Sequence, residues 1–418
     1  MTQMTAALPD RDVRRARVAV GVLFFTNGAM FANLIPRYPQ IKTDLGMSNA
    51  AYGLSVAAFP MGALIAGTAA GLLVRRFGSA SVAAVGMALT GVGVIAAGLA
   101  PVTVVFALAL FVAGSLDAIA DVAQNGHGLR VQRRYGRSII NSFHAIWSVG
   151  AVTGGLMAAA AIARGLPRGA HLVLSSVLLA VIALLAWRFC LPGTETELEP
   201  VQERADGQPA VAAGRSPVSP TTALTVGALV LIAMAGTVVE DSGNSWATLY
   251  LSDSLDAPAA IAALGYIALV GAQFVGRLFG DRLVDRFGQR TIARAGGAFA
   301  AAGMGLALAF PSVWGTVLGF AAAGFGVATL VPAAMHEADE LPGLRPGTGL
   351  TVVSWLMRLG FLLSPPVVGA VADATSLRAG LLVVPVAGLI VVLTAGVLSQ
   401  RPHHRQALTA PSETPPSP

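Results

Sequence analysis

Apolar residues in this chain come in long unbroken runs. They do not alternate as in a half-buried strand, and they do not form the one-sided stripe of a surface helix. Twelve runs cover about residues 18–35, 52–74, 81–100, 104–124, 139–163 and 172–187, then 224–239, 261–279, 292–310, 313–335, 350–372 and 380–398. Each is near the ~20 residues a helix needs to cross the hydrocarbon of a bilayer. They are too long and too continuous for the strands of a transmembrane barrel. Two stretches break the pattern. Residues 191–222 hold Pro192, Pro200, Pro209, Pro217 and Pro220 with Glu195, Glu197, Glu199 and Glu203, and the chain after Gln400 ends in prolines and serines. The pattern predicts an all-α integral membrane protein with twelve transmembrane helices. A six-helix half over residues 1–190 is followed by a flexible cytoplasmic linker over 191–222. A second six-helix half over 223–400 precedes a disordered cytoplasmic tail over 401–418.

The two halves are related. Leu73-Val74-Arg75-Arg76-Phe77-Gly78 recurs as Leu283-Val284-Asp285-Arg286-Phe287-Gly288, an offset of 210 residues. At the same offset Gly86 maps to Gly296, Gly114 to Gly324 and Gly150 to Gly360. A register sustained from Leu73 to Gly150 indicates two parallel six-helix pseudo-repeats, the arrangement of many secondary transporters. Many runs are rich in Gly and Ala. Small residues let helices approach closely in lipid, where packing drives association.

Composition agrees. The 418 residues are 55% hydrophobic and 11% charged, against about 25% charged in a soluble domain, so any aqueous domain must be small. The net charge of +6 is not a nucleic-acid signal, because its distribution follows topology. With alternating crossings, one side collects Arg11, Arg14, Arg15, Arg17, Arg75, Arg76, Arg130, Arg133, Arg134 and Arg137, and later Arg282, Arg286, Arg290, Arg294, Arg401 and Arg405. The other side holds only Arg37, Lys42, Arg164, Arg168 and Arg378. The positive-inside rule then puts both termini in the cytoplasm. The first run is too long for a signal-peptide core and is expected to stay as a span. The single cysteine, Cys190, excludes an intramolecular disulfide. No Gly-Lys-Ser/Thr phosphate loop and no metal-spaced His/Cys/Glu set occurs. The expectation is a non-enzyme with no cofactor and no metal. It is a monomer whose partners are a small-molecule substrate, protons and the lipid bilayer, with no nucleic acid.

Twelve spans, a central loop and a charged Gly-spaced turn after spans two and eight resemble the major facilitator superfamily over essentially the whole chain. That family's turn runs roughly G-x-L-x-D-R-x-G-R-R. The first copy matches at Gly71, Leu73, Arg76 and Gly78 but has Arg75 where the family has Asp. The second matches at Leu283, Asp285, Arg286, Gly288 and Arg290, with Asp281 in place of the leading Gly. The resemblance implies a cytoplasmic gate at these turns, because an Asp at a helix end can pair with Arg and with a neighbouring helix N-terminus. Arg75 cannot, so the second copy should carry more of the lock. Arg277, one turn before Asp281, is expected to pair with it and to join the gate. Asp121-Val122-Ala123-Gln124-Asn125 and Glu240-Asp241-Ser242-Gly243-Asn244-Ser245-Trp246 together resemble a bacterial inner-membrane branch related to fucose permease-like carriers. In such sugar carriers a span-four acid takes part in proton coupling, a role that only Asp121 can inherit.

Ionisable groups inside hydrocarbon cost roughly 2.5–3.5 kcal/mol each on insertion scales, so those that persist face the bundle interior or water. Asp117, Asp121 and Asn125 are four residues apart and form one polar stripe. Measured from Arg130, Asp121 lies about 13 Å and Asp117 about 20 Å along the helix, near mid-membrane. Two nearby carboxylates repel, so one is expected to hold a proton, which is what proton coupling needs; a structural polar contact is the alternative. His144 on span five is at a similar depth and could complete a proton relay with Asp121 or serve only in packing. Asn141 and Trp147 on the same span could touch substrate. Arg358 in span eleven needs either an internal carboxylate or an anionic substrate group. Glu240, Asp241, Asn244 and Trp246 stand at the expected outer end of span seven, as a solvated helix end or as ligand contacts through hydrogen bonding and ring stacking. Pro365-Pro366 should kink span eleven. His127 and Gln132, close to the cytoplasmic end, need no special role.

The sequence therefore predicts a proton-coupled secondary transporter of a sugar-like or other small polar solute in the bacterial inner membrane. Drug or metabolite efflux by proton antiport is an alternative. Gly150-Ala151-Val152-Thr153-Gly154-Gly155 lacks the proline that the span-five antiporter motif wants. A non-transporting membrane sensor on the same scaffold is a third reading, which a large signalling extension would favour.

Overall fold

The computed structural model describes residues 11–193, 219–341, 344 and 347–400. Most of the expected linker and the whole expected tail, residues 401–418, lie outside the described residues. Twelve helices among the described residues are long and apolar enough to cross a membrane. They are α1 (Arg11–Asp44), α2 (Asn49–Gly67), α3 (Ser79–Gly98), α4 (Thr103–Tyr135), α5 (Ile140–Ala163), α6 (Arg168–Trp187), α7 (Pro220–Ser254), α8 (Ala259–Phe287), α9 (Gln289–Ala309), α10 (Val313–Asp339), α11 (Thr348–Ala374) and α12 (Leu377–Val397). The surface they present is apolar: Leu393, Leu224, Phe310 and Leu318 are each more than two-thirds exposed. Such a surface suits lipid, and helices satisfy their own backbone polar groups there.

With twelve crossings, the start of α1 and the end of α12 lie at one end of the bundle. We call it the terminal end, and the other the distal end. Both Arg-Phe-Gly turns are at the terminal end. A short helix, Ala70–Phe77, extends α2 to Gly78, and α8 runs straight to Gly288. Gly78 and Gly288 have φ of 79° and 82° with ψ of 145° and 152°, a region essentially reserved for glycine. This lets the chain reverse without a loop and start α3 and α9 at the next residue.

The repeat is visible in the packing. A side chain at Gly114 would collide with the Phe59 carbonyl oxygen, and one at Gly324 with the Leu269 carbonyl oxygen. Phe59 and Leu269 are themselves 210 residues apart. The conserved spacing thus marks one helix crossing, α2 on α4 and α8 on α10, built twice from glycine contacts.

Several expected boundaries shift. The run 224–239 is only the middle of α7, which continues through Leu249 to Ser254. Polar residues persist in that helix because protein, not lipid, surrounds them: Asp241, Ser242, Ser245 and Trp246 are all buried. The reading of this segment as a solvated helix end is therefore corrected. In α11 the helix runs through Pro365 and Pro366, and its interruption falls upstream at Met357, between Leu356 and Arg358.

Candidate functional site

Intramembrane polar residues of both halves face each other across a cleft between the six-helix units. In the first half, Asp117 of α4 accepts a hydrogen bond from Asn27 Nδ2 of α1 at 3.0 Å. Asn27 Oδ1 in turn accepts from Trp147 Nε1 of α5 at 2.6 Å. Three helices are thus tied into one wall by a chain from indole to amide to carboxylate. One turn further along α4, Asp121 Oδ1 accepts from Gln124 Nε2 and from Asn125 Nδ2, each at 3.1 Å. The expected stripe of Asp117, Asp121 and Asn125 is present, with the two acids half-buried and each supplied with amide donors.

His144 is exposed on the same side, edge-on to Phe24 at 5.3 Å between ring centroids. Its charge and that of Asp121 act on each other, but no direct ion pair joins them among the described residues. A relay between them needs an intervening water or solute. Asn141, one turn earlier on α5, is also exposed.

The second half contributes Glu240 of α7, which accepts from Gln273 Nε2 of α8 at 2.7 Å and pairs with Arg277 Nη2 at 3.7 Å. This corrects the expected pairing of Arg277 with Asp281. Arg277 is turned into the cleft, where its field reaches His144 of the other half. The reason is geometric. Residues at positions i and i+4 share a face, but a carboxylate on the neighbouring helix offers Arg277 a less hydrated partner than the exposed Asp281. Arg358 stands at the break in α11, exposed, and acts electrostatically on Asp121 from across the cleft. No carboxylate among the described residues lies within ion-pair distance of it, so the alternative of an internal salt bridge is not realised in this conformation.

Asp241 and Trp246 do not join Glu240, because they point to a different face of α7. There they meet Tyr38 of α1 and Tyr52 of α2. Tyr52 donates to the Ser245 carbonyl at 2.7 Å and stacks edge-on with Trp246 at 5.0 Å. Tyr38 lies edge-on to Tyr52 at 5.7 Å. This aromatic plug closes the cleft toward the distal end. Outside it, Asp373 at the end of α11 accepts from the backbone N–H groups of Asn49 and Ala50 at 2.9 and 2.8 Å, binding the first turn of α2. Lys42 pairs with Asp253 at 3.3 Å. The two halves are therefore latched distally. Asn244 is half-buried on the same turn of helix.

The twin turns at the terminal end bond within their own halves. Arg76 and Arg286 each lie over the following ring, Phe77 and Phe287, at 5.5 and 5.3 Å. Arg75, Asp281, Asp285 and Arg286 are exposed, and Gly71 is half-exposed. Arg290 donates from Nε to the Leu398 carbonyl at 2.9 Å, so it holds the end of α12 and not the opposite half. In the first half His127 does the matching work: its Nδ1 is 2.8 Å from Ser79 Oγ and its Nε2 accepts from Leu191 N at 3.2 Å. Gln132 Oε1 caps α5 by accepting from Ile139 N and Ile140 N at 2.7 and 3.0 Å. A conformation closed distally and parted at these turns leaves a gate there unengaged.

Sequence reasoning missed Asn27, Gln273, Tyr38, Tyr52 and Asp373. Asn27 and Gln273 had a readable signal, a lone amide inside an apolar run. The tyrosines and Asp373 lay near expected span ends and carried none.

Comparison with known proteins accords with this architecture. The sequence profile of the Major Facilitator Superfamily matches residues 20–282 and 241–418. An uncharacterized transporter, y4wD of Sinorhizobium fredii, is 30% identical over 383 residues, 92% of this chain and 97% of that protein. The membrane protein MosC of Rhizobium meliloti is 29% identical over 373 residues, 89% of this chain and 88% of its own. Among solved structures, a D-xylose-proton symporter superposes with a TM-score of 0.67 at 17% identity, covering 92% of this chain and 96% of that one. A bacterial homologue of the lysosomal transporter Spinster, in an inward-facing conformation, does so with 0.67 at 15% identity, covering 93% and 98%. At these identities the structures speak for the fold alone. Two glycine-knit repeats with twin charged turns around a polar cleft, and a profile match across both halves, make this chain a member of the Major Facilitator Superfamily.

Proposed function

We propose that the protein is a proton-coupled secondary transporter of a small polar solute, working by alternating access in a bacterial inner membrane with both termini cytoplasmic. The observation that carries this reading is the chain Trp147–Asn27–Asp117, with Asp121 one turn away. It puts two acids on one wall of a mid-membrane cleft, opposite Glu240, Gln273 and Arg277. Polar side chains held at the midplane between repeats are where solute and coupling ion bind in this kind of machine. A solute with several hydroxyl or amide groups can hydrogen-bond both walls at once and draw the parted halves together. A proton on Asp117 or Asp121 removes a charge that would otherwise be dehydrated on closure.

In this reading the terminal end is cytoplasmic and the twin turns, with Arg75, Arg76, Asp285 and Arg286, form the gate that engages when the distal end opens. Asn125, Asn141, Trp147, Glu240 and Arg358 are the cleft residues available to solute. The test is solute-driven proton flux in liposomes, with substrate found by screening sugars, nucleosides and amino acids for thermal stabilisation. Asp117→Asn combined with Asp121→Asn abolishes proton flux while solute binding persists; undiminished flux in that double variant sinks the coupling.

A further inference from the structure

Asp241 has no part in the cleft, yet it is an acid sealed in the middle of the protein. It is 6% exposed. Its Oδ1 accepts from Ser245 Oγ at 3.1 Å. Its Oδ2 touches no solvent, Ser364 Oγ is the hydroxyl that faces the carboxyl from α11, and Tyr38 Oη and Trp246 Nε1 nearby are likewise sealed from solvent. We propose that Asp241 is a proton-binding site that governs the distal gate: the distal end closes only over a protonated Asp241. This rests on the alternating-access reading but not on coupling at Asp117 or Asp121.

The groups that face Asp241 are Tyr38 from α1, Tyr52 from α2 and Ser364 from α11, with Ser245 and Glu240 on α7 itself; Tyr266 of α8 lies behind Tyr38. None of them is basic, and Lys42, the single lysine of the chain, is committed to Asp253 in the distal latch. A carboxylate stripped of water and left without a cation is so costly that the group is neutralised instead. Space decides what neutralises it. Since no water-sized volume adjoins Oδ2, a hydrated cation does not fit beside it. A proton needs no room.

The seal is made by the contacts that must break when the distal end opens. Tyr52 bonds the Ser245 carbonyl and stacks on Trp246, within one turn of Asp241. Parting α1 and α2 from α7 and α11 admits water to the carboxyl, which then releases its proton to that water. Closing again requires the proton back. The closed state binds the proton and the open state does not hold it, so by linkage low pH favours distal closure and rising pH favours distal opening. For one proton, the closed-to-open ratio falls by up to about tenfold per pH unit.

The experiment uses the full chain in lipid nanodiscs without solute, with Cys190→Ser and spin labels at Thr43→Cys and Ser254→Cys. These exposed positions flank the Lys42–Asp253 pair on opposite sides of the gate. The short label distance should lose population as the pH is raised, approaching tenfold per unit over its steepest part. Asp241→Asn, neutral and of the same shape, should keep the short distance throughout. The idea is overturned if Asp241→Asn titrates like the parent, or if the parent does not titrate. Asp117→Asn with Asp121→Asn should leave the titration in place. If that pair abolishes it while Asp241→Asn does not, the gating proton lies in the cleft and only this inference falls.

Discussion

Distal closure depends on backbone contact between α2 and α11, and Gly53 sets how close they come. A Cβ there would overlap the Pro365 carbonyl oxygen, lie 2.8 Å from its carbonyl carbon and stand 3.2 Å from Pro366 Cα. Carbon atoms meet comfortably at about 3.5–4.0 Å, so Gly53→Ala must push the helices apart by at least about 0.7 Å. The opposing atoms are backbone, so no rotamer change relieves the overlap. Overpacking of this kind costs about 1–3 kcal/mol. The contact joins the two halves and is absent when the distal end opens, so the cost falls on one state. Each ~1.4 kcal/mol is tenfold, and the closed-to-open ratio should fall by about 5- to 150-fold. The Thr43/Ser254 label pair reads this as a gain of the long distance at fixed pH. Gly271→Ala is the control: it lies in the contact of α8 with α5, which also joins the halves, but its Cβ would sit 3.8 Å from Val152 Cγ2, an ordinary contact. An unchanged distribution in Gly53→Ala, or an equal shift in Gly271→Ala, refutes the argument.

Two further outcomes follow from the same geometry. Gly78→Ala and Gly288→Ala each force a residue with a Cβ into a glycine conformation at about 1–3 kcal/mol. Gly288→Ala should lower the thermal midpoint in detergent more, because its Cβ also stands 2.7 Å from the Gln400 carbonyl oxygen while Gly78 has 3.7 Å to Gly193; equal losses would contradict this. Arg277→Gln removes a partly exposed ion pair worth at most about 1 kcal/mol to stability. It should therefore leave the thermal midpoint nearly unchanged while weakening solute binding in the thermal-shift screen, and the opposite pattern would make Arg277 purely structural.

The sequence by itself determined what is local or repeated. Hydrophobic runs of bilayer length specify helices because lipid leaves a backbone no other way to satisfy its polar groups. The 210-residue register fixed the two halves, since duplicated glycines must serve duplicated crossings. Asp117, Asp121 and Asn125 were legible as a stripe because helical spacing alone puts them on one face. The tertiary structure decided which groups meet across long separations. Asn27 reaches Asp117 over 90 residues, and Tyr52 reaches Ser245 over 193. It also decided between partners that the sequence offers equally: Arg277 had Asp281 one turn away and took Glu240 instead. It turned two adjacent acids to opposite fates, Glu240 into the polar cleft and Asp241 into the dry seal. Neighbours on a helix point about 100° apart, and only the packing of α7 against α1, α2, α8 and α11 assigns each direction an environment.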